Sequence, residues 1–333
     1  MSAVIIAEAG VNHNGDLGLA LDLVDAAAEC GADVVKFQTF DPTCIASRHA
    51  GKAAYQKRTT DATENQQSML ERLALSVDAH HQLIARCQQR NITFLSSPFD
   101  LPSLALLVEL QLSPFKIPSG ELTNLPLLRA IGATKEPVIL STGMATLGEV
   151  EAAIAALRLS GTPDDGITLL HCTTEYPAPL DEVNLSAMTT MGRAFGLPFG
   201  YSDHTQGIAI PIAAVALGAV VIEKHFTLDN ALPGPDHKAS LEPGPFKAMV
   251  AGIQDVALAM GDGIKRPTLS ELANKPIARK SIVAACAIAV GESFTAVNLT
   301  TKRPGDGLDP MLWDQVMGRV ADRDYAMDEA IVL

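Results

Sequence analysis

The hydrophobic positions of the chain fall into short runs and longer periodic stretches that alternate almost from end to end. Val4 to Ala9 is short and apolar, as a buried strand is, and stops on the polar loop Gly10 to Gly15. Leu17 to Cys30 follows with Leu19, Leu23 and Ala27 at helical spacing and ends before Gly31. The pair then repeats. Strands are predicted at 33–38, 92–96, 114–118, 137–141 and 167–172, and in the runs that end at His204 and His225. Helices are predicted at 69–90, 101–110, 125–133, 148–159, 207–218 and 246–260. Eight strand–helix units in roughly 260 residues have the count and length of a (β/α)8 TIM barrel. A doubly wound open sheet would seldom hold eight evenly spaced units, and the chain has no Gly-rich dinucleotide or P-loop fingerprint.

Two stretches depart from the alternation. Asp41 to Gln67 is long and polar, as a lid or binding loop is. After residue 260 the period disappears, and Pro267 and Pro276 mark a linker. Short strand-like pieces follow at Ser281, Ser293 and Asn298, with a turn at Arg303. The predicted domains are a barrel over 1–265, a linker over 266–280 and a small, mostly β domain over 281–333. So small a module gains stability by docking on another surface.

Composition narrows the partners. A formal net charge of -13 argues against nucleic acid or an anionic membrane as the main partner, though a local basic pocket can still take an anionic small substrate. The five cysteines are scattered and form no C-x-x-C pair, so reduced thiols in the cytoplasm are expected. The N-terminus has no basic leader, and no apolar run reaches the roughly 18 residues of a membrane span.

The strand ends carry the chemistry. They offer Glu8; Lys36 and Gln38; Ser96 and Ser97; Lys116, Ser119 and Glu121; Ser141; His171, Thr173 and Tyr176; Ser202, Asp203 and His204; Glu223, Lys224 and His225. A purely structural barrel has no need of such a ring. Either histidine alone would read as a loop hydrogen bond, but the matched pair His204 and His225 on neighbouring strands reads as a divalent metal site. Lys36 and Lys116 lie inside strands, where a lysine is costly unless paired. Three readings are open for them: salt bridges to Glu8 or Glu121, an anion pocket with Ser119, Ser141 and Ser202, or a Schiff base. A metal beside them disfavours the last. Asp236, in a Pro-Gly-Pro turn, reads as a rigid turn residue or as an acceptor for substrate hydroxyls, and Gln38 and Tyr176 are equally open.

Taken together, Glu8-Ala-Gly-Val-Asn-His-Asn-Gly15, Val35-Lys-Phe-Gln-Thr39, Ser97-Pro-Phe99, Lys116-Ile-Pro-Ser-Gly-Glu121, Leu140-Ser-Thr-Gly-Met144, His171-Cys-Thr-Thr-Glu-Tyr-Pro177, Tyr201-Ser-Asp-His-Thr205, Glu223-Lys-His-Phe-Thr227 and Gly234-Pro-Asp-His237 resemble the motifs of the sialic acid synthases. These are phosphoenolpyruvate-dependent synthases of nine-carbon sugar acids. The tail, with Lys302-Arg-Pro-Gly305, resembles their C-terminal antifreeze-like (SAF, β-clip) domain. The resemblance implies manganese, or magnesium or cobalt, on His204 and His225. It implies a phosphoenolpyruvate pocket of Lys36, Lys116, Ser119, Ser141 and Ser202, with Ser97 in the same substrate-binding set. It puts Gln38, Glu121, Tyr176 and Asp236 near the sugar, and Arg303 in the partner's site of a domain-swapped homodimer. Asn14 stands where some members carry Glu, so a role for that carboxylate does not transfer. The implied reaction joins phosphoenolpyruvate to open-chain N-acetylmannosamine, with water, to give N-acetylneuraminate and phosphate by C–O cleavage. Lys36, Lys116 and Glu121 are the implied catalytic groups, the last for proton transfer or for holding the sugar. The alternative acceptor is 2,4-diacetamido-2,4,6-trideoxymannose, which gives N,N'-diacetyllegionaminate. More distant readings are a synthase acting on another aldose and a non-catalytic binding protein.

Overall fold

Among the described residues, eight parallel strands, each an apolar run in the sequence, form the centre of the first unit, Met1–Gly261: β1 (Val4–Gly10), β2 (Val34–Thr39), β3 (Thr93–Pro98), β4 (Phe115–Ile117), β5 (Val138–Ser141), β6 (Ile167–His171), β7 (Phe199–Asp203) and β8 (Val221–His225). This computed structural model describes residues 3–47, 50–52, 60 and 64–333. β1 is hydrogen-bonded to both β2 and β8, the sheet order is β3-β2-β1-β8-β7-β6-β5-β4, and its two ends, β3 and β4, pack against each other. The sheet therefore curls round on itself as a (β/α)8 barrel.

The connecting helices are α1 (Leu17–Glu29), α2 (Pro42–Ile45), α3 (Gln66–Glu71), α4 (Val77–Arg90), α5 (Leu101–Glu109), α6 (Leu125–Thr134), α7 (Leu147–Ser160), α8 (Leu185–Phe195), α9 (Ala209–Ala216) and α10 (Pro243–Ala259). Polar caps set where several begin: Asp16, Ser76, Asp100 and Thr146 each accept a hydrogen bond from a first-turn amide. Two differences from the sequence reading follow from caps and packing. The helix expected over 69–90 breaks into α3 and α4, because Ser76 starts a new helix by accepting from the Ala79 amide at 3.2 Å. α8, absent from the sequence reading, buries Met188, Met191 and Gly192; a side chain at Gly192 would run into the Phe199 ring, so the glycine lets α8 close on β7. Within the predicted lid, residues 41–47, which include α2, 50–52, 60 and 64–67, which begin α3, are the described ones.

Strand alternation divides the residues of each strand between the two faces of the barrel wall. Outward positions build the shell beneath the helices, with Ile5, Val35, Phe37 and Ile222 in one cluster and Phe115, Ile117, Leu140 and Leu169 in another. Inward positions change character along each strand. Ile6, Leu95, Leu170 and Val221, with Val34 and Ile139, form a dry lower layer. One pleat repeat further on stand Glu8, Lys36, Ser97, Ser141 and Glu223, all buried.

The second unit, Asp262–Leu333, has its own core of Ile282, Ala284, Ile288, Phe294, Leu299, Val316, Ala321, Tyr325 and Ile331. β9 (Ser281–Ala284) pairs antiparallel with β10 (Leu299–Lys302), α12 (Trp313–Val316) follows, and the strand expected at Ser293 is a single bridge to Val320. The expected linker is not extended chain. Residues 269–278 form α11 (Leu269–Ala278), started by a reciprocal capping box between Thr268 and Glu271. Pro276 sits inside this helix, and all of residues 261–280 are exposed. Cys30, Cys44, Cys87, Cys172 and Cys286 are free thiols. Among the described residues no helix is long and apolar enough to cross a membrane.

Candidate active site

A cavity of about 330 Å³ opens at the C-terminal ends of the barrel strands. Lys36, Gln38, Ser97, Lys116, Ser119, Ser141, Tyr176, Ser202, His204, His225 and Asp236, all predicted site residues, line it together. Glu121 does not. It is half-buried on the turn after β4 and accepts a hydrogen bond from Asn124 Nδ2 at 2.6 Å. Arg303 belongs to the second unit, where it is exposed and its Nε donates to the Ala278 carbonyl at 2.9 Å.

The lysines are held by an ion cluster with Glu223 at its centre. Lys36 Nζ is 2.6 Å from Glu8 Oε2 and 3.7 Å from Glu223 Oε1, and Lys116 Nζ is 3.7 Å from Glu223 Oε2. Burial pushes the Glu223 carboxyl up, but the two ammoniums overcome this and hold it below the ordinary range. Burial raises Glu8 to about 7 against the pull of Lys36. Burial lowers Lys116, while Glu223 and Glu8 outweigh burial at Lys36 and raise it, so Lys36 keeps the proton of the Lys36–Glu8 pair. Each ammonium also donates to a serine, Lys36 to Ser97 at 3.3 Å and Lys116 to Ser141 at 2.7 Å. The sequence marked Glu223 only as one polar strand end; its bridging role depends on β2 and β4 facing it across the barrel.

The histidines stand beside this cluster, His225 in register with Glu8 on the neighbouring strand. Burial takes His204 down to about 4 and His225 well below its ordinary value, so both rings are neutral. His204 Nδ1 is 2.6 Å from the Thr173 carbonyl, which can only accept, so Nδ1 carries the hydrogen and Nε2 keeps a lone pair. Among the described residues His225 Nδ1 is buried without a hydrogen-bond partner, 4.0 Å from Asp236 Oδ2. The ring centroids are 5.4 Å apart, and Tyr176 stacks on His204 at 4.2 Å. Neutral imidazoles with an available lone pair and an orphaned buried nitrogen suit a divalent first-row metal. Among the described residues no three histidine, cysteine or carboxylate groups converge on one point, so substrate or water would complete such a site.

Of the residues expected on this rim, Ser96, His171, Thr173, Asp203 and Lys224 also fail to line the cavity. Asp203 and Lys224 point outward, wholly buried, and pair at 2.6 Å. Asp203 also accepts from the Thr205 amide at 2.9 Å and Lys224 donates to the Thr205 carbonyl, so the pair fastens the turn that carries His204. Sequence reasoning also missed an apolar wall of the cavity, made by Phe40, Ile45, Met69, Leu70, Leu73 and Phe99.

The chain is similar to known proteins along almost its whole length. The chain is 55% identical over 98% of its length to the N,N'-diacetyllegionaminic acid synthase of Campylobacter jejuni, of which 98% is covered. It is 44% identical over 96% of its length to the N,N'-diacetyllegionaminic acid synthase of Legionella pneumophila, of which 90% is covered. The crystal structure of the N-acetylneuraminic acid (sialic acid) synthetase of Leptospira borgpetersenii in complex with citrate superposes with a TM-score of 0.72 at 35% identity, covering 82% of this chain and 90% of that one. Residues 23–265 match the NeuB family and residues 279–332 the SAF domain. The chain therefore belongs to the NeuB family, as a phosphoenolpyruvate-dependent enzyme that forms carbon–carbon bonds, and carries a SAF domain at its C-terminal end.

Proposed function

We propose that the chain condenses phosphoenolpyruvate with 2,4-diacetamido-2,4,6-trideoxymannose and water to give N,N'-diacetyllegionaminate and phosphate. One observation carries the reaction class: two buried ammoniums, Lys36 and Lys116, share a cavity with two neutral imidazoles, His204 and His225. The choice of sugar rests on the two legionaminic acid synthases at 55% and 44% identity, and it reverses the order of the sequence reading, which put N-acetylmannosamine first.

Lys36 and Lys116 neutralise the carboxylate and phosphate, and Glu223 between them fixes their spacing. Ser97 and Ser141 accept from the lysines, which leaves their own O–H groups to donate to the anion. Gln38, Tyr176 and Asp236 hold the sugar. A divalent ion on His204 and His225, manganese or else magnesium or cobalt, would act when bound as a Lewis acid on the sugar aldehyde. Carbon 3 of phosphoenolpyruvate bonds to the aldehyde carbon, water adds at carbon 2, and the tetrahedral adduct expels phosphate with cleavage of the C–O bond.

The active form in this reading is a cytoplasmic, domain-swapped homodimer in which Arg303 serves the partner's cavity. Leu269, Leu272 and Ile277 of α11 are 89%, 50% and 69% exposed, as apolar residues that await another surface are. The five free thiols suit a reducing compartment. The test is phosphate release from phosphoenolpyruvate in the presence of each sugar. The diacetamido-trideoxy sugar should give the higher kcat/KM, and turnover of neither sugar would defeat the reading.

A further inference from the structure

We propose that the apolar wall of the cavity selects the far end of the acceptor sugar, taking up the methyl groups of a 6-deoxy, di-N-acyl sugar and disfavouring a hydroxylated one. The inference rests on the reading of this cavity as a sugar-acid synthase site and names the residues that choose the sugar.

The cavity lining is divided. One part holds Glu8, Lys36, Lys116 and Glu223; another holds Phe40, Ile45, Met69, Leu70, Leu73 and Phe99. The apolar part comes from the end of β2, from α2 and α3 with the turn after α3, and from the residue after β3. Val11, Phe40, Met69 and Leu73 are its buried base, and Ile45, Leu70 and Phe99 pack on them, with the Phe40 and Phe99 rings edge to face at 6.2 Å.

Ile45, Leu70 and Phe99 are only half-buried and line the cavity. A segment that merely had to seat itself on the barrel would turn such side chains inward, since exposed apolar area forfeits the gain of burial. Three large side chains lining a cavity that also holds the ionic cluster call for an occupant with an ionic part and an apolar part. Phosphoenolpyruvate is anionic and matches the lysines. The apolar part must come from the acceptor. In N-acetylmannosamine the distal carbons all carry hydroxyls, whereas in the diacetamido-trideoxy sugar carbon 6 is a methyl and the group on carbon 4 ends in one. Gln66 lies one turn from Leu70 on α3 and also lines the cavity, which sets an amide beside the apolar wall where a second N-acyl group needs one.

An apolar pocket rejects a close analogue with an added hydroxyl by no more than about 100-fold, so a kcat/KM preference of about 10- to 100-fold is expected in the native protein. Steady-state phosphate release with each sugar, at saturating phosphoenolpyruvate, reads it. Leu70→Gln keeps a good helix former and places an amide in the wall. It should cut the preference about 10-fold through loss on the deoxy sugar, while the KM for phosphoenolpyruvate stays within about two-fold. Phe99→Leu keeps the wall apolar and should keep the preference. Ile45→Asn provides the same test as Leu70→Gln from a different helix, should that variant fail to fold. If the deoxy sugar is turned over but its preference is unchanged in the folded polar variants, the wall is structural and this inference falls alone. If the native protein uses neither sugar, the proposed function falls with it.

Discussion

The lower and upper layers of the barrel interior are built by the same strands, one pleat repeat apart, and they are chemical opposites. Ile6 and Glu8, Val34 and Lys36, Leu95 and Ser97, Ile139 and Ser141, and Val221 and Glu223 are successive inward positions. The lower residue of each pair removes apolar area from water, which favours folding. The upper residue takes a charge or hydroxyl out of water, which favours folding only as far as a partner compensates it. Glu223 shows the limit of that compensation: it is shared between two ammoniums at 3.7 Å rather than closely paired with one. The strands thus separate stability from chemistry along their own length, and substitutions in the two layers should separate the two properties in the laboratory.

The largest effect should come from the top of the upper layer. His204→Ala and His225→Ala should each lower kcat by about 1,000-fold or more, the scale of removing electrostatic stabilisation at a reacting oxygen. Thermal melting should move little, because each change removes a buried polar ring. Chelation should mimic the loss in the native protein and manganese should reverse it. Full activity in metal-free protein would sink the metal reading and return the Schiff-base lysine to consideration.

The lower layer should show the reverse. Leu170→Ala should cost about 2–5 kcal/mol in denaturant unfolding, while kcat/KM of the folded enzyme stays near native. Gly200→Ala should also destabilise, by about 1–3 kcal/mol, because its Cβ would stand 2.1 Å from the Val221 carbonyl oxygen. A matching loss of kcat/KM in folded Leu170→Ala would mean that the two layers are mechanically coupled.

Acid offers a third probe, away from the cavity. His13 is fully buried beside the outward-facing Phe37, and burial lowers it to about 4. The unfolded chain binds its proton near pH 6.5. The stabilisation from keeping this ring neutral is therefore whole above pH 6.5 and is lost progressively as pH falls towards 4, on the order of 3 kcal/mol in all. His80, also buried, is lowered by the same cause and adds in the same direction. Urea midpoints between pH 4 and 7 should fall with acid, and His13→Gln should flatten the slope; an unchanged slope would exclude His13 as the source.

The smallest effect lies outside both layers. Arg303→Ala should raise the sugar KM by about 10-fold, the scale of a lost charged hydrogen bond, with little change in the KM for phosphoenolpyruvate. Mixed under subunit exchange with His204→Ala, it should regain activity, since one site of a mixed dimer has an intact barrel and receives an intact arginine. Confirmed exchange without recovery would refute the swapped dimer.

What was legible in the sequence follows the same division. Strands that bury both faces announce themselves as apolar runs, and their polar ends mark the rim, so the barrel and twelve of the lining residues, Glu8 and Glu223 among them, could be read directly. Which face a rim residue takes depends on strand phase, and Asp203 and Lys224 turned outward while their sequence neighbours His204 and His225 turned in. α8 escaped because its buried face is two methionines and a glycine behind a long polar loop. α11 escaped although Thr268 and Glu271 spell its capping box, because Pro276 was taken as a breaker. The apolar wall escaped because its residues are scattered: Phe40 and Phe99 follow two different strands, Ile45 lies in the polar stretch read as a lid, and Met69, Leu70 and Leu73 follow that stretch, so only their packing together reveals it.

The Asp203–Lys224 pair has a consequence for how this protein can change over generations. Removing either partner strands a bare charge in a dry site, a loss of about 3–5 kcal/mol, whereas replacing both together with apolar residues of similar volume is often neutral. A lineage that moves one substitution at a time must therefore cross a deep stability valley here, and its far side is level only where the Thr205 amide and carbonyl find new partners. Since the pair also fastens the turn that carries His204, that valley keeps the histidine's backbone in place even in descendants whose acceptor sugar has drifted.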